Sequence, residues 1–408
     1  MTTAVAAHAP AAALLDPATI RARCRNVLAA AQDGRTRHFR VDRARLAHAA
    51  DVVADVTRRR YPSLAIPYHS RWRHFEAGGV DRGGELAQAL AGRDAAAAAR
   101  ARIDLAVVSV LLDAGAGRAW RYAETETAQT FTRSEGLGVA SWRAFMAGAF
   151  SARRDDPLRV DAAALARIEP ETLARLFQVT EANPLVGLDG RAALLQRLGT
   201  ALMQGREFFG ADARPGGLYD TLTAHGAESV SAAALLRALL DGLSAIWLSG
   251  NAFEGVAVGD TWRHPFAGGH GATAGWVPFH KLTQWLAYSL FEPFEWAGTR
   301  VVEREALTGL PEYRNGGLLL DTGVLALVEP NVALLPQDVG SEIVVEWRAL
   351  TVALIDELAV GVRARLALPD LPLACVLEGG TWSAGRELAQ RLRGGDPPLS
   401  IRSDGTVF

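Results

Sequence analysis

The stretch at residues 341–368, SEIVVEWRALTVALIDELAVGVRARLAL, decides the fold class. Val344, Leu350, Leu354 and Leu358 recur at helical spacing on one side, and Pro369 ends the pattern. That spacing predicts one long helix. Working outward, the same logic recurs. Asp16-Pro17 reads as an N-cap with Pro at the first helical position, and Ile20, Cys24, Val27 and Leu28 follow on one face up to Gly34. Asp42 opens a second helix, with Leu46, Ala49, Val53 and Val56 inward. Asp189 is read as the cap of a third, striped by Leu195, Leu198 and Leu202, and Ser231 as the start of a fourth. The run at residues 105–112, apolar apart from Ser109, is ambiguous between buried helix and strand, its alanine and leucine leaning helical. Other strand signals are few, at residues 373–377 and at an Asp-Gly turn, Asp404-Gly405. The expected architecture is mostly α, a large helical body with minor β near the C-terminus. The Pro/Gly-containing stretch 210–217 divides a helical part at 1–210 from a helical part with short β elements at 211–408, one continuous domain being the alternative.

Composition narrows the function classes. The 408 residues carry 43 basic and 45 acidic side chains, a net charge of −2, so no global field draws the chain to nucleic acid or an anionic membrane. Two cysteines, Cys24 and Cys375, are too few for a disulfide framework or a thiolate zinc site and fit a reducing, cytoplasmic setting. No uncharged apolar run is long enough to span a bilayer, and the N-terminal apolar run lacks the basic residues of a secretory signal. Among the basic residues Lys281 is the only lysine. Where interchangeable lysines have become arginine, a retained ammonium marks a position that a guanidinium cannot imitate.

Four segments depart from simple helical patterning. His69, Arg71, Trp72, Arg73 and His74 crowd into the stretch 68–76 ahead of Gly78-Gly79 and suit anion or hydroxyl binding beside a stacking surface. Residues 251–296 hold His264, the glycine-rich Gly268-Gly269-His270-Gly271, and Phe279-His280-Lys281-Leu282-Thr283-Gln284-Trp285. Their histidine spacing matches no common ligand pattern, and no metal or other cofactor is expected from it. In the third, Glu312-Tyr313-Arg314 and Asp321 flank an apolar run, where a buried carboxyl suits acid–base work; an N-capping Asp and a salt-bridged Glu is the plain alternative. In the fourth, Glu378-Gly379-Gly380 reads as a glycine loop opening a helix, an anion cradle or ordinary capping.

Four of these stretches together, 70–75, 279–285, 313–321 and 403–408, resemble the Urc four/Urg three family of uracil-catabolism proteins. The resemblance covers almost the whole chain. It implies a place in a pathway that degrades uracil through its nucleoside or nucleotide, with functional coupling to a ring-opening cyclohydrolase-like enzyme and a uracil phosphoribosyltransferase. A fainter resemblance is to queuosine-salvage N-glycohydrolases, helical proteins akin in fold to DNA glycosylases. Phe279, Lys281 and Gln284 match one motif of that family, and Glu312-Tyr313-Arg314 another with Glu for Asp. Asp104, with Trp120 and Tyr122 downstream, resembles an early Asp segment. Where that family has an Asp eight residues after its lysine, this chain has Ser289.

The expected activity is therefore N-glycosidic hydrolysis of ribosylurea or its 5′-phosphate. Glu312 or Asp321 would serve the C1′ centre, and Lys281, Gln284 or His280 would assist the leaving group or anchor phosphate. Arg71, Arg73 and Arg314 would bind anions, Trp72 or Trp285 would form an apolar wall, and His69, His74, Asp104, His264 and Tyr313 complete the candidate substrate contacts. The alternatives are a hydrolase opening an amide or ring of a pyrimidine product, and a non-catalytic binding or scaffold protein. No nucleic acid or membrane partner is expected.

Overall fold

A computed structural model describes residues 9–113 and 115–402. Its longer helices are, in chain order, α1 (Pro17–Gln32), α2 (Leu46–Arg60), α3 (Ala95–Leu111), α4 (Arg133–Met146), α5 (Leu188–Gln204), α6 (Ala232–Leu243), α7 (Lys281–Trp296), α8 (Tyr313–Asp321), α9 (Glu342–Leu366) and α10 (Trp382–Arg393). The fold is mostly α. Strands occur only as two-stranded pairs scattered along the described chain, rather than collecting near the C-terminus. No helix among the described residues is long and apolar enough to cross a membrane.

The helix starts follow their caps. Asp16 accepts the Ala18 N–H at 2.9 Å with Pro17 at the first position, and Ile20, Cys24, Val27 and Leu28 are buried as their spacing requires. Asp189 is not the cap of α5. Gly187, at φ 71°, takes that place, because the chain arrives there in a left-handed conformation that glycine adopts without strain. In α9 every residue from Ile343 to Ile355 is buried, Glu346 and Arg348 included, so its first half is surrounded rather than merely amphipathic. The strand expected at 373–377 is instead a helical turn, Leu373–Val376. The Glu378-Gly379-Gly380 segment is no loop either: Leu377–Thr381 is a π-helical turn running straight into α10. The two glycines explain this, since a Cβ on Gly380 would meet Val53 and Thr57 of α2 at 2.6 Å. The turn expected at Asp404-Gly405 lies outside the described residues.

Two compact units are interleaved along the chain. The first comprises described residues within Met1–His69, Asn251–Gln284 and Arg304–Ser403; the second, those within Ser70–Gly250 and Trp285–Glu303. Stretch 210–217 falls inside the second, and the Gln284/Trp285 boundary falls inside α7. In the first unit α9 packs on α1 and α2, α10 lies along α8, and β1 (Phe39–Val41) pairs antiparallel with β2 (Leu325–Leu327). In the second unit α3, buried throughout from Ile103 to Leu111, packs on α4, and Trp120, Trp142 and Phe145 fill the core. Each fully buried aromatic or aliphatic side chain contributes roughly 1.5–3 kcal/mol.

Candidate functional site

Within the first unit, Lys281 is the opening residue of α7, and the chain reaches it through an antiparallel pair, Thr261–Arg263 against Trp276–Pro278. Asp260 governs this entry. Its carboxylate accepts Arg348 Nη1 at 2.7 Å and Nη2 at 2.6 Å, Trp262 Nε1 at 2.7 Å and the Lys281 N–H at 3.1 Å. Burial by itself would raise this carboxyl, but the charge and hydrogen bonds of Arg348, with the Trp262 and Lys281 donors, outweigh it and hold the group at about 2. Backbone N–H groups of Phe279 and His280 both bond the Asp260 carbonyl, which forces His280 to φ 47°. A left-handed histidine is strained and persists only where its surroundings over-determine it. Its Nε2–H donates to the Leu14 carbonyl at 2.9 Å and burial lowers its pKa, so His280 is a neutral, structurally engaged imidazole.

Gln284 is engaged in the same way. Its Nε2 donates to the Phe279 carbonyl and to Thr308 Oγ1, and its Oε1 accepts the Thr308 N–H at 2.9 Å. The side chain ties two backbone segments together. The glycine-rich segment also has a packing cause: a Cβ on Gly269 (φ 98°) would lie 1.5 Å from Arg23 Nη1. Arg23 occupies the space that glycine leaves.

Glu312 caps α8, accepting the Arg314 N–H at 2.7 Å and the Asn315 N–H at 2.6 Å. Burial raises its pKa; the two N–H donors oppose that, as do the charges of Lys281 and His69. Lys281, His69 and Glu312 thus share one electrostatic neighbourhood. His69 Nδ1 lies 2.8 Å from Glu378 Oε2, and Glu378 also accepts from Tyr61 Oη at 3.0 Å and Arg60 Nη2 at 3.3 Å. Burial favours the neutral acid at Glu378, yet the bond to His69 and the charges of His69 and Arg60 lower its pKa. Burial and the same carboxylate push Tyr61 up to about 12. A carboxylate on Nδ1 leaves Nε2 as the basic nitrogen of the ring, the arrangement of an oriented general base. Among sequence candidates, then, the first unit brings together Lys281, Glu312 and His69, and adds Glu378, which was legible only as the residue before two glycines.

Asp321 stands at the far end of α8, roughly 13 Å along the axis from Glu312, and is bound by Arg393 at 2.8 and 2.7 Å. The plain reading of this segment is thereby inverted: the Glu is the cap and the Asp is salt-bridged. Arg314 lies over the Tyr313 ring at 4.7 Å and donates to the Gly395 carbonyl. A Cβ on Gly385 of α10 would meet the Arg314 carbonyl at 2.1 Å, so α8 and α10 approach at backbone distance. His264 is buried, its Nδ1 accepting the Phe266 N–H at 3.2 Å.

Within the second unit the arginine-rich segment is pinned rather than presented. Arg71 is fully buried; Nε donates to Ser109 Oγ and Nη1 to Asp113 Oδ1, both at 2.6 Å, and its backbone N–H bonds Ser289 Oγ at 2.9 Å. Trp72 Nε1 donates to the Ser289 carbonyl. Arg73 pairs with Glu292 at 2.6 Å and Glu76 at 2.8 Å, and Ser70 Oγ donates to the other Glu292 oxygen. Arg71 and Arg73, two of the three arginines expected to bind anions, therefore already face carboxylates. Ser289 serves as the anchor for this turn, and the buried acid nearby is Glu292, one turn on, its pKa raised by burial. His74 meets Trp285 edge-on at 5.6 Å, and Arg71 lies 5.7 Å from the same indole. Asp104 is buried against Arg214 and accepts the Val160 and Gly216 N–H groups at 2.9 and 2.6 Å. Glu292, Asp113 and Asp260 carried no local signal in the sequence.

A family model described as "Protein of unknown function (DUF1688)" matches residues 13–408. "Uracil catabolism protein 4" of Lachancea kluyveri is 38% identical over 410 residues, covering 92% of this chain and 93% of that protein. "Protein urg3" of Schizosaccharomyces pombe is 40% identical over 411 residues, covering 97% and 98% respectively. The chain belongs to this DUF1688 family, the Urc4/Urg3 family of uracil catabolism protein 4 and urg3.

Proposed function

We propose that this protein acts in uracil catabolism as an N-glycosidase, hydrolysing the ribosyl C–N bond of ribosylurea or its 5′-phosphate to release urea and the sugar. The observation that carries the reading is the first-unit cluster, in which a carboxyl raised by burial, Glu312, feels both Lys281 and His69. The uracil-catabolism name of a relative at 38% identity supports the pathway. Cleavage of a glycosidic C–N bond passes through an oxocarbenium-like state and needs a proton for the leaving nitrogen and a base for water. Glu312, protonated more readily than an ordinary glutamic acid, supplies the first; His69, oriented by Glu378, receives the water proton. Lys281 anchors the phosphate of the 5′-phosphorylated substrate. The water oxygen bonds C1′, the C1′–N bond breaks, and the urea nitrogen leaves with the proton. Cyclohydrolase-like ring opening would supply this substrate, and a uracil phosphoribosyltransferase would act upstream of it.

The test is incubation of the purified protein with ribosylurea and with ribosylurea 5′-phosphate, assaying sugar and urea. We expect stoichiometric release of both products from one substrate, and a loss of about 10²–10⁴-fold in Glu312→Gln. Absence of product from both substrates defeats the reading. A ligand-induced melting shift without turnover would instead make the chain a metabolite-binding protein.

A further inference from the structure

The first unit carries a second cluster of ionisable groups that the proposed reaction does not use. Glu342 and Glu346 lie one turn apart on α9, and His38 immediately precedes β1. One ligand atom from each of the three lies within 4.8 Å of the others. His38 Nε2 is 3.9 Å from Glu342 Oε1. Glu346 is 0% exposed and accepts only backbone donors, the Phe39 N–H at 3.0 Å and the His38 N–H at 3.4 Å. Among the described residues no arginine or lysine is ion-paired with it, whereas the other fully buried carboxylates, Asp104 and Glu124, each have an arginine. A buried carboxylate without a counter-cation is costly.

A second observation points the same way. His264 is 1% exposed, and its Nε2, which has no hydrogen-bond partner, lies 3.7 Å from Glu346 Oε2. Because Nδ1 already accepts the Phe266 N–H, the neutral ring carries its proton on Nε2, facing the carboxylate. That is the place of an outer-shell donor that orients a ligating carboxylate.

We propose that His38, Glu342 and Glu346 bind a divalent transition-metal ion of the zinc class, with His264 orienting Glu346. An imidazole with two carboxylates selects such an ion over Mg²⁺ or Ca²⁺, which prefer all-oxygen sets. Ligand bonds of about 2.0–2.2 Å bring tetrahedral donors to roughly 3.3–3.6 Å of one another, so donors now within 4.8 Å close by at most about 1.5 Å around the ion. His38 and Glu342 keep about a third of their side-chain surface exposed, 29% and 33%, which gives the ion an entry path and room for a water ligand. Arg37 Nη1, 4.0 Å from Glu342 Oε2 and itself 78% exposed, is easily displaced. The ion would clamp the segment before β1 to α9.

The experiment is calorimetric titration of chelator-treated full-length protein with Zn²⁺, repeated with Mg²⁺, and visible absorption with Co²⁺. We expect one equivalent of Zn²⁺ bound, at least tenfold weaker Mg²⁺ binding, and a melting temperature raised by the ion. Glu342→Gln and His38→Gln, both partly exposed, should each weaken Zn²⁺ binding by at least 100-fold with unchanged circular dichroism. His264→Asn should weaken it by about 10–100-fold. No Zn²⁺ binding at millimolar metal, or binding that survives both ligand substitutions, overturns the proposal. The readout is independent of any turnover.

Discussion

Asp260→Asn is the sharpest probe of how Lys281 is held. In the wild type the Asp260 carboxyl titrates at about 2, against an ordinary 3.8. A depressed acid stabilises the fold above its unfolded pKa, and the stability is lost as pH falls through the folded value. The difference converts to about 2 kcal/mol, lost between about pH 4 and pH 2. Asparagine keeps the shape but removes the charge, and its amide points N–H groups at one arm of the Arg348 fork. Arg348, 1% exposed, loses its bidentate carboxylate. Breaking a buried pair from one side costs about 3–5 kcal/mol. The Lys281 N–H, bonded at 3.1 Å, loses its ionic acceptor too. We expect a urea midpoint lower by that energy, a flattened acid limb, and faster hydrogen exchange at the Lys281 amide. Removing both charges, Asp260→Asn with Arg348→Met, should recover most of the loss, because no charge then remains buried. An Asp260→Asn protein within about 1 kcal/mol of wild type, with its acid limb intact, refutes the reasoning.

Three further predictions follow from the same geometry. Lys281→Arg should fold normally and lose about 100-fold or more in turnover on whichever ribosyl substrate is accepted; unchanged kcat/KM would sink the argument from the lone lysine. Glu312 is raised by burial, so the folded chain keeps a proton that the unfolded chain has released, and stability falls as pH rises from 4.5 through the folded value. Urea midpoints of wild type and Glu312→Gln should therefore diverge across that window to the wild type's disadvantage, and parallel curves would contradict the assignment. Asp113→Asn strips the fully buried Arg71 of its counter-charge and should lower stability by about 3–5 kcal/mol, measured by thermal unfolding; a loss under about 1 kcal/mol would show that Ser109 and backbone carbonyls suffice.

The helical body was legible because α1, α2 and α9 repeat their buried residues at the period of the helix. Segment 377–381 was not, because glycines that look like a loop are there to admit α2 against a π-turn. Lys281 stood out by composition and Glu312 by its position before an apolar run. The partners of Arg71 and Arg73 were not legible, since Asp113 and Glu292 lie 42 and 219 residues away. The same distance hid Glu378 from His69, 309 residues apart. Pairings of that kind are set by tertiary packing and leave no local mark. The interleaved units were illegible for the same reason, as no composition shift marks residues 69, 250 or 284.

The packing of α1 and α2 on α9 has a consequence for synthesis. These two helices leave the ribosome with their apolar faces bare, and the helix that covers them is completed only at Leu366. From Arg60 that is about 300 residues, or roughly 15–60 s of elongation at about 5–20 residues per second. Throughout that interval both helices lack the partner on which they pack, and a chain stopped anywhere before α9 never acquires it.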